Sequence, residues 1–404
     1  AMSQWKRVVV VIDSLDVLSV NSETEGLTFF LGLIDRLVRI PDVCVIVACR
    51  SFDLQYNRKL ASQNWDQKVE AGLLDWDTVV EPLLRGMGID GAHTDADTRA
   101  LLGNPRNLAL FTDVATESPP QNVSSAQELT EMYLDVVVAG EPTLGNTAMI
   151  AIEKMAAAML SDRRHQLPRS RVAVDDAMLQ RLLSASVLFL GARREVGFGH
   201  QTMLDALAVR EAIREGRGFL EFIRSLRPVP FIRPAIRAYF AYLRLGDRKD
   251  FRSQLREVFD SDVVFHIKRL VAESYAACEP EDDDWSVMRH LFRQHPAQFR
   301  SIYETAQQVA WHGFWMRNLV PMLWAERNTP WLEIHFNRLR LWSNDDPDGV
   351  MSYWTSFATS PLAKGVNLRG QVTFVLRGFA HLAQVDAQPL LEAMVAAPST
   401  GHDF

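Results

Sequence analysis

The 404-residue sequence predicts a mixed, mostly helical fold: a short parallel α/β segment, then helices, then α-solenoid-like helical repeats. Two observations support this prediction. All-apolar runs at residues 8–12 and 43–49 flank one amphipathic stretch, which gives the order strand, helix, strand. Beyond residue 216, apolar and aromatic residues recur at helical spacing without clear strand–helix alternation.

The composition is that of an ordinary globular chain of two or three domains. Hydrophobic residues make up 48% and charged residues 23%, and the net charge of −7 argues against a general coating of nucleic acid. Cys44, Cys49 and Cys278 show no metal-ligand spacing, so we expect a reducing, cytoplasmic setting. No apolar run spans a bilayer and no secretory signal is present, so no membrane partner is expected.

The first strand is the run V-V-V-V-I, followed by Asp13, Ser14, Leu15 and Asp16. Strand side chains alternate between faces, so an all-apolar run predicts a strand buried on both faces, as in a parallel sheet. Because the carboxyl ends of such strands face the ligand crevice, we expect Asp13 and Asp16 at a functional site. The alternative is a buried strand followed by a turn that favours aspartate.

Residues 8–16 resemble the Walker B segment of STAND and NACHT-like AAA+ P-loop NTPases. The resemblance implies that Asp13 holds Mg²⁺ through water and that Asp16 orients or activates the attacking water. Phosphoryl transfer needs such fixed carboxylates, since its catalysis is mostly positioning and charge neutralisation.

The phosphate-binding loop of that family, G-x-x-x-x-G-K-[ST], occurs nowhere in the sequence. In the family it lies upstream of Walker B, and Ala1 before Met2 resembles the scar of a cleaved tag. Three explanations stay open: the segment was removed, it lies on another chain, or the fold has lost nucleotide binding. We therefore expect ATP or ADP with Mg²⁺ only where a P-loop segment is joined, and no ATPase activity from this chain alone.

The stretch 25–39 has the period of a helix, and 43–49 reads as a second strand, so a βαβ crossover with parallel strands is expected. The second strand ends in A-C-R-S, which resembles the position of a polar or basic sensor in the family. Arg50 would then contact the terminal phosphate. Alternatively, Arg50 pairs with a nearby acid such as Asp13 or Asp53.

A group of helices follows: Asp77 can cap a helix that runs through Met87, and residues 95–102 form a short helix. The sequence G-N-P-R-N-L then resembles the GxP motif of STAND proteins, which implies that Gly103 and Pro105 shape a nucleotide site and that the proline packs against adenine. The alternative is an ordinary helix junction, since glycine and proline mark such junctions in many folds.

Helices at 126–138, 147–161 and 175–185, strand-like runs at 187–190 and 196–199, and a helix from His200 resemble a winged-helix domain. The resemblance implies that His200 contacts the β-phosphate of bound ADP, at a helix N-terminus where amides favour anions. The alternative is that His200 starts the helix and bonds to backbone. Mixed charges over residues 201–215 speak against a DNA-binding winged helix.

The repeats begin near residue 216, and their period cannot be fixed from the sequence. Six tryptophans between residues 311 and 354 are predicted as core.

The stretch 216–256 is rich in arginine, with ten basic residues and three acids. If no break intervenes, four of these side chains fall near one helical face: Arg233, Arg237, Arg244 and Arg248. Such a stripe could meet nucleic-acid phosphates or an acidic partner. The favoured alternative is a solvated face, or pairing with the chain's own acids.

Four domains are therefore expected: residues 1–75 (part of an NTPase core), 76–165 (helical lid), 166–215 (winged helix) and 216–404 (helical-repeat sensor). The family resemblance implies a nucleotide-controlled switch, closed with ADP and oligomeric with ATP, with a protein trigger on the repeats and roles in signalling or antiviral defence. The alternative is a non-catalytic helical-repeat scaffold. Motifs for serine hydrolases, zinc sites and calcium loops are absent from the sequence.

Overall fold

The computed structural model describes residues 8–13, 24–49, 54, 58–91, 94–117, 122–123, 125–191, 194–364 and 388–396. The chain divides into two compact units, Ala1–Glu141 and Pro142–Phe404. Helices predominate and the strands are few and short. The prediction of a mixed, mostly helical fold is thus confirmed.

The first unit opens with a strand–helix–strand segment: β1 (Val8–Ile12), α1 (Thr24–Leu37) and β2 (Val43–Val47). The two strands are parallel and in register from Val8 opposite Val43 to Ile12 opposite Val47. A parallel pair requires a crossover connection, and α1 supplies it. The predicted βαβ crossover is therefore confirmed.

Only one face of this two-stranded sheet is covered in the part of the chain described. Alternate residues of both strands face a small core that includes Leu27, Leu31 and Ile34 of α1. On the other face, Val9 and Val11 are 56% and 64% exposed. The prediction of burial on both faces is wrong here, because the single described crossover helix covers one side only.

The remaining secondary structure described in the first unit is helical. It comprises α2 (Arg58–Ala61), a π-helical turn (Trp76–Val80) that runs into α3 (Glu81–Gly86), α4 (Ala96–Leu102), α5 (Pro105–Glu117), and α6 (Ala126–Leu134) with a π-helical turn after it (Asp135–Ala139). The short helix predicted over residues 95–102 is α4, and Asp95 caps it, with its carboxylate accepting from the Thr98 amide at 2.8 Å. The first cap is Asp75 rather than Asp77, since Asp75 accepts from the Thr78 amide at 2.8 Å.

The second unit begins with α7 (Gly145–Asp162), β3 (Gln166–Pro168), α8 (Asp176–Ser184), β4 (Leu188–Leu190), β5 (Glu195–Phe198) and α9 (Gln201–Arg214). The strands form an antiparallel sheet in the order β3-β5-β4. The hairpin β4–β5 was predicted, whereas β3 was not. Helix α9 packs against α7, and the buried Glu153 of α7 binds Arg214 of α9 at 2.8 Å.

Helices then follow one another to the end of the described chain. They are α10 (Phe219–Ser225), α11 (Arg233–Leu245), α12 (Arg248–Asp260), α13 (Phe265–Ala276), α14 (Trp285–Gln294), α15 (Pro296–Thr305), α16 (Val309–Phe314), a π-helical turn (Trp315–Leu319), α17 (Val320–Ala325), α18 (Thr329–Arg338), α19 (Pro347–Thr359) and α20 (Gln388–Ala396).

Helices α9 to α15 pack in two rows. Helices α9, α11, α13 and α15 contact one another in succession, and α10, α12 and α14 do the same. Tryptophans lie between the helices, and the indole nitrogens of Trp311 and Trp342 donate to the carbonyls of Ala276 and Gln307, in each case 35 residues earlier. Trp311, Trp315, Trp342 and Trp354 are all buried, so the predicted place in the core is confirmed for these four. The other two of the six, Trp324 and Trp331, are half-buried.

A buried histidine in this region makes stability depend on pH. His335 is fully buried, its Nδ1 lies 2.8 Å from the Tyr303 hydroxyl, and burial lowers its pKa to about 3. The unfolded chain protonates this ring near its ordinary pKa of about 6.5. The stabilisation is therefore complete above pH 6.5 and is lost as the pH falls towards 3.

We expect this residue alone to contribute a slope of about 1.4 kcal/mol per pH unit below pH 6. Urea unfolding at pH 7, 6 and 5 measures it, with His335→Gln as the comparison. The variant should show a shallower loss of stability than the wild type over this window. Equal slopes in the two proteins would show that His335 takes up its proton without unfolding.

Candidate functional site

The first predicted site residue, Asp13, follows β1 directly and is exposed. The Ala48 amide donates to the Ile12 carbonyl at 2.9 Å, so the carboxyl ends of β1 and β2 lie side by side. Asp13 is thereby placed where ligands bind in open parallel sheets. Asp16 and Arg50 lie outside the described residues, and their roles stay predictions.

Gly103 lies at a close approach between two parts of the first unit. Its carbonyl accepts from the Leu74 amide at 2.7 Å, and its amide donates to the Arg99 carbonyl at 3.2 Å. A Cβ atom at this position would lie 3.3 Å from the Leu74 carbonyl oxygen and 3.4 Å from the Leu73 Cβ. The fold therefore has a packing reason for glycine here, whatever binds nearby.

Pro105 is the first residue of α5, where its missing amide hydrogen costs no helical bond. The preceding Asn104 side chain accepts from the Arg106 amide at 3.0 Å, which caps the helix. The interpretation of this motif as a helix junction is thus confirmed, and contact of Pro105 with adenine stays a prediction. Burial lowers the pKa of Arg106 to about 10, so this half-buried neighbour still carries its charge at neutral pH.

His200 is the N-cap of α9. Its backbone is extended, at φ −149° and ψ 149°, and its Nδ1 accepts from the Thr202 amide at 3.2 Å. The alternative reading, a helix-start residue bonded to backbone, is therefore confirmed, and phosphate contact stays a prediction. His200 belongs to the second unit, whereas Asp13, Gly103 and Pro105 belong to the first.

The arginine-rich stretch is divided by a break and is bonded within the chain. A break at Gly246 separates α11 from α12, so Arg244 and Arg248 lie on different helices. The four arginines therefore do not share one helical face. Arg248 binds Glu281 and Asp284, each at 2.9 Å, and Arg244 donates to the Glu279 carbonyl. Pairing with the chain's own acids is thus confirmed for Arg248, whereas Arg244 bonds to the backbone.

One group of potential metal ligands was not predicted. The fold brings Asp260, His290 and His295 together, with their donor atoms within 4.8 Å of one another. Motif spacing could not reveal them, because the carboxylate comes from a different helix than the histidines.

No protein-family model matches the chain, and a search of curated proteins returned no match. Among the described helices, none combines the length and the apolarity that crossing a membrane requires.

Proposed function

We propose that this chain belongs to a nucleotide-controlled switch of the STAND type, with ATP or ADP and Mg²⁺ as its ligands. The observation that carries the proposal is the parallel β1–α1–β2 segment, which places Asp13 beside the carboxyl end of β2. An exposed carboxylate on a rigid strand end suits a hydrated Mg²⁺, since hard cations prefer oxygen ligands and retain water.

The order of elements also supports the proposal. The α/β segment is followed by helices α3 to α6, then by a three-stranded antiparallel sheet with helices on its sequence flanks, and then by the helical rows. This is the order that the resemblance to STAND proteins implies: core, lid, winged helix, sensor. Each element alone is common, whereas their agreement in order is stronger support, and the resemblance extends roughly to residue 215.

The outer face of the β1–β2 sheet fits the same proposal. Parallel sheets occur almost only where both faces are covered. Val9, Val11 and Ile46 of this face are each more than half exposed. Further layers of an NTPase core would bury them.

The helical rows would act as the sensor. We propose that they form an α-solenoid, because each helix contacts the next-but-one helix over α9 to α15. A protein trigger bound there would favour the open, ATP-bound form, and homo-oligomers would follow. Differential affinity of the trigger for the two states would supply the free energy of opening.

A non-catalytic scaffold is the second candidate. The absence of G-x-x-x-x-G-K-[ST] from the sequence favours it, and so does the size of the helical part. In that case Asp13 would only end a strand, and the helical rows alone would bind partners.

Titration of ADP, with and without Mg²⁺, separates the two candidates. It is made on this chain, and also on a longer encoded protein if one carries a P-loop. We expect Asp13→Asn to weaken Mg²⁺-dependent binding at least about tenfold, or 1.4 kcal/mol. The control is Asp35→Asn, since Asp35 is exposed on α1.

The switch is contradicted if ADP binds neither protein, or if Asp13→Asn binds ADP with unchanged Mg²⁺ dependence. The scaffold would then be the function to pursue.

A further inference from the structure

Two histidines converge on one carboxylate oxygen at a helix junction in the second unit. Asp260 is the last residue of α12, His290 lies in α14, and His295 lies between α14 and α15. The Nε2 atoms of His290 and His295 are 2.7 Å and 2.6 Å from the same Oδ1 of Asp260. We call these three residues the His–Asp cluster.

Hydrogen bonds to the backbone hold the segments that carry His295 and Asp260. The His295 amide donates to the Leu291 carbonyl at 2.8 Å, its own carbonyl accepts from the Phe299 amide at 3.0 Å, and Pro296 follows. The end of α12 is held by Lys268, whose ammonium donates to the carbonyls of Phe259 and Ser261 at 2.7 and 2.6 Å. Ligands on rigid, independently bonded elements are what a preformed metal site requires.

Charge in this corner also favours a cation. Asp260 places a carboxylate at the C-terminal end of α12, where the helix dipole already carries negative charge. The C-terminal end of α14 points to the same place, whereas the N-terminus of α15 and the Lys268 ammonium, which bonds the carbonyls on either side of Asp260, oppose them. The Asp260 carboxylate supplies an anionic ligand, and a divalent ion bound there would offset its charge.

We propose that the His–Asp cluster binds a divalent transition-metal ion of the Zn²⁺ class. Two imidazoles and one carboxylate suit zinc and its neighbours, whereas Mg²⁺ and Ca²⁺ prefer all-oxygen sites. Zinc bonds of 2.0–2.2 Å in a tetrahedron separate ligand atoms by about 3.3–3.6 Å. The present distances of 2.6 and 2.7 Å need to open by about 0.6–1.0 Å, which rotation of the side chains can supply.

The coordination would be incomplete with protein ligands alone. Three protein ligands leave a fourth position for water or another group, which is the pattern of reactive rather than purely structural zinc sites. The side chains of Asp260, His290 and His295 are 49%, 28% and 21% exposed, so solvent reaches the cluster. The ion would also join the end of α12 to the α14–α15 junction.

Titration calorimetry of the full chain with Zn²⁺ tests the proposal, and Co²⁺ serves as a visible-absorption probe of coordination. We expect one Zn²⁺ per chain and no comparable heat with Mg²⁺. Removing a metal ligand should lower the affinity for Zn²⁺ at least as much as removing a residue that only orients a ligand. We therefore expect about tenfold weaker Zn²⁺ binding, or more, in each of three variants: His290→Ala, His295→Ala and Asp260→Asn. His266→Ala is the control, since His266 is exposed on the neighbouring α13.

Thermal unfolding tests the same proposal in variants that are less stable than the wild type, because it compares the Tm of each protein with and without Zn²⁺. Added Zn²⁺ should raise the Tm of the wild type and of His266→Ala but not that of Asp260→Asn. The proposal is overturned if the wild type shows no stoichiometric Zn²⁺ binding. It is also overturned if Zn²⁺ raises the Tm of Asp260→Asn as much as that of the wild type, whatever their Tm values without metal.

Discussion

Replacing Trp311 by alanine should lower the free energy of unfolding by about 3–5 kcal/mol. The indole is fully buried and stacks on Trp315 with ring centroids 4.9 Å apart. Its nitrogen donates to the carbonyls of Ala276 at 3.1 Å and Cys278 at 2.8 Å. Truncation therefore leaves a large cavity and removes the hydrogen-bond donor for a helix end.

Urea unfolding followed by circular dichroism measures this change. Phe265→Ala is the matched control, because Phe265 is also an aromatic residue of the helical rows but is 60% exposed. Its replacement should cost about 0.5 kcal/mol or less. Equal losses in the two variants would contradict the buried position of Trp311.

Replacing Asp284 by alanine should cost about 3 kcal/mol, because it removes a fully buried carboxylate that binds two partly buried guanidinium groups. The Asp284 side chain is fully buried and lies 2.9 Å from the Arg248 guanidinium and 3.8 Å from that of Arg252. It also accepts from the Glu281 amide at 3.0 Å. One side chain therefore joins α12 to the start of α14.

The control for Asp284 is an exposed ion pair. Glu81 and Arg85 are four residues apart on α3, and the arginine is 76% exposed. Glu81→Ala should change the free energy of unfolding by about 0.5 kcal/mol or less, since solvent screens such pairs. A loss at Asp284 no larger than this would show that its carboxylate is solvated in solution.

The elements with strong periodicity were predictable from the sequence. β1, α1 and β2 follow from two all-apolar runs and one amphipathic stretch, and Asp13 follows from the end of the first run. The coverage of the sheet did not follow, because a run of valines does not encode how many layers pack against it. Asp75 and Asp77 both fit a capping position, and only the three-dimensional path decides between them.

Other features left no readable pattern. Strand β3 has three residues and ends in Pro168, which is too short for alternation to show. The recurring hydrogen bonds of the tryptophans are accepted by the backbone carbonyls of Ala276 and Gln307. Every residue has such a carbonyl, so the sequence does not show which ones accept. The His–Asp cluster joins residues 30 and 35 positions apart, which no local motif describes.

Hydrogen exchange with and without ADP and Mg²⁺ tests the proposed switch most directly, because it locates the bound nucleotide. It is made on this chain and on any longer encoded protein that carries a P-loop. The proposal predicts slower exchange at the carboxyl end of β1 and at residues 103–108, with α19 unchanged. If ADP leaves exchange at both places unchanged, the β1–α1–β2 segment is architecture alone and the nucleotide switch is contradicted.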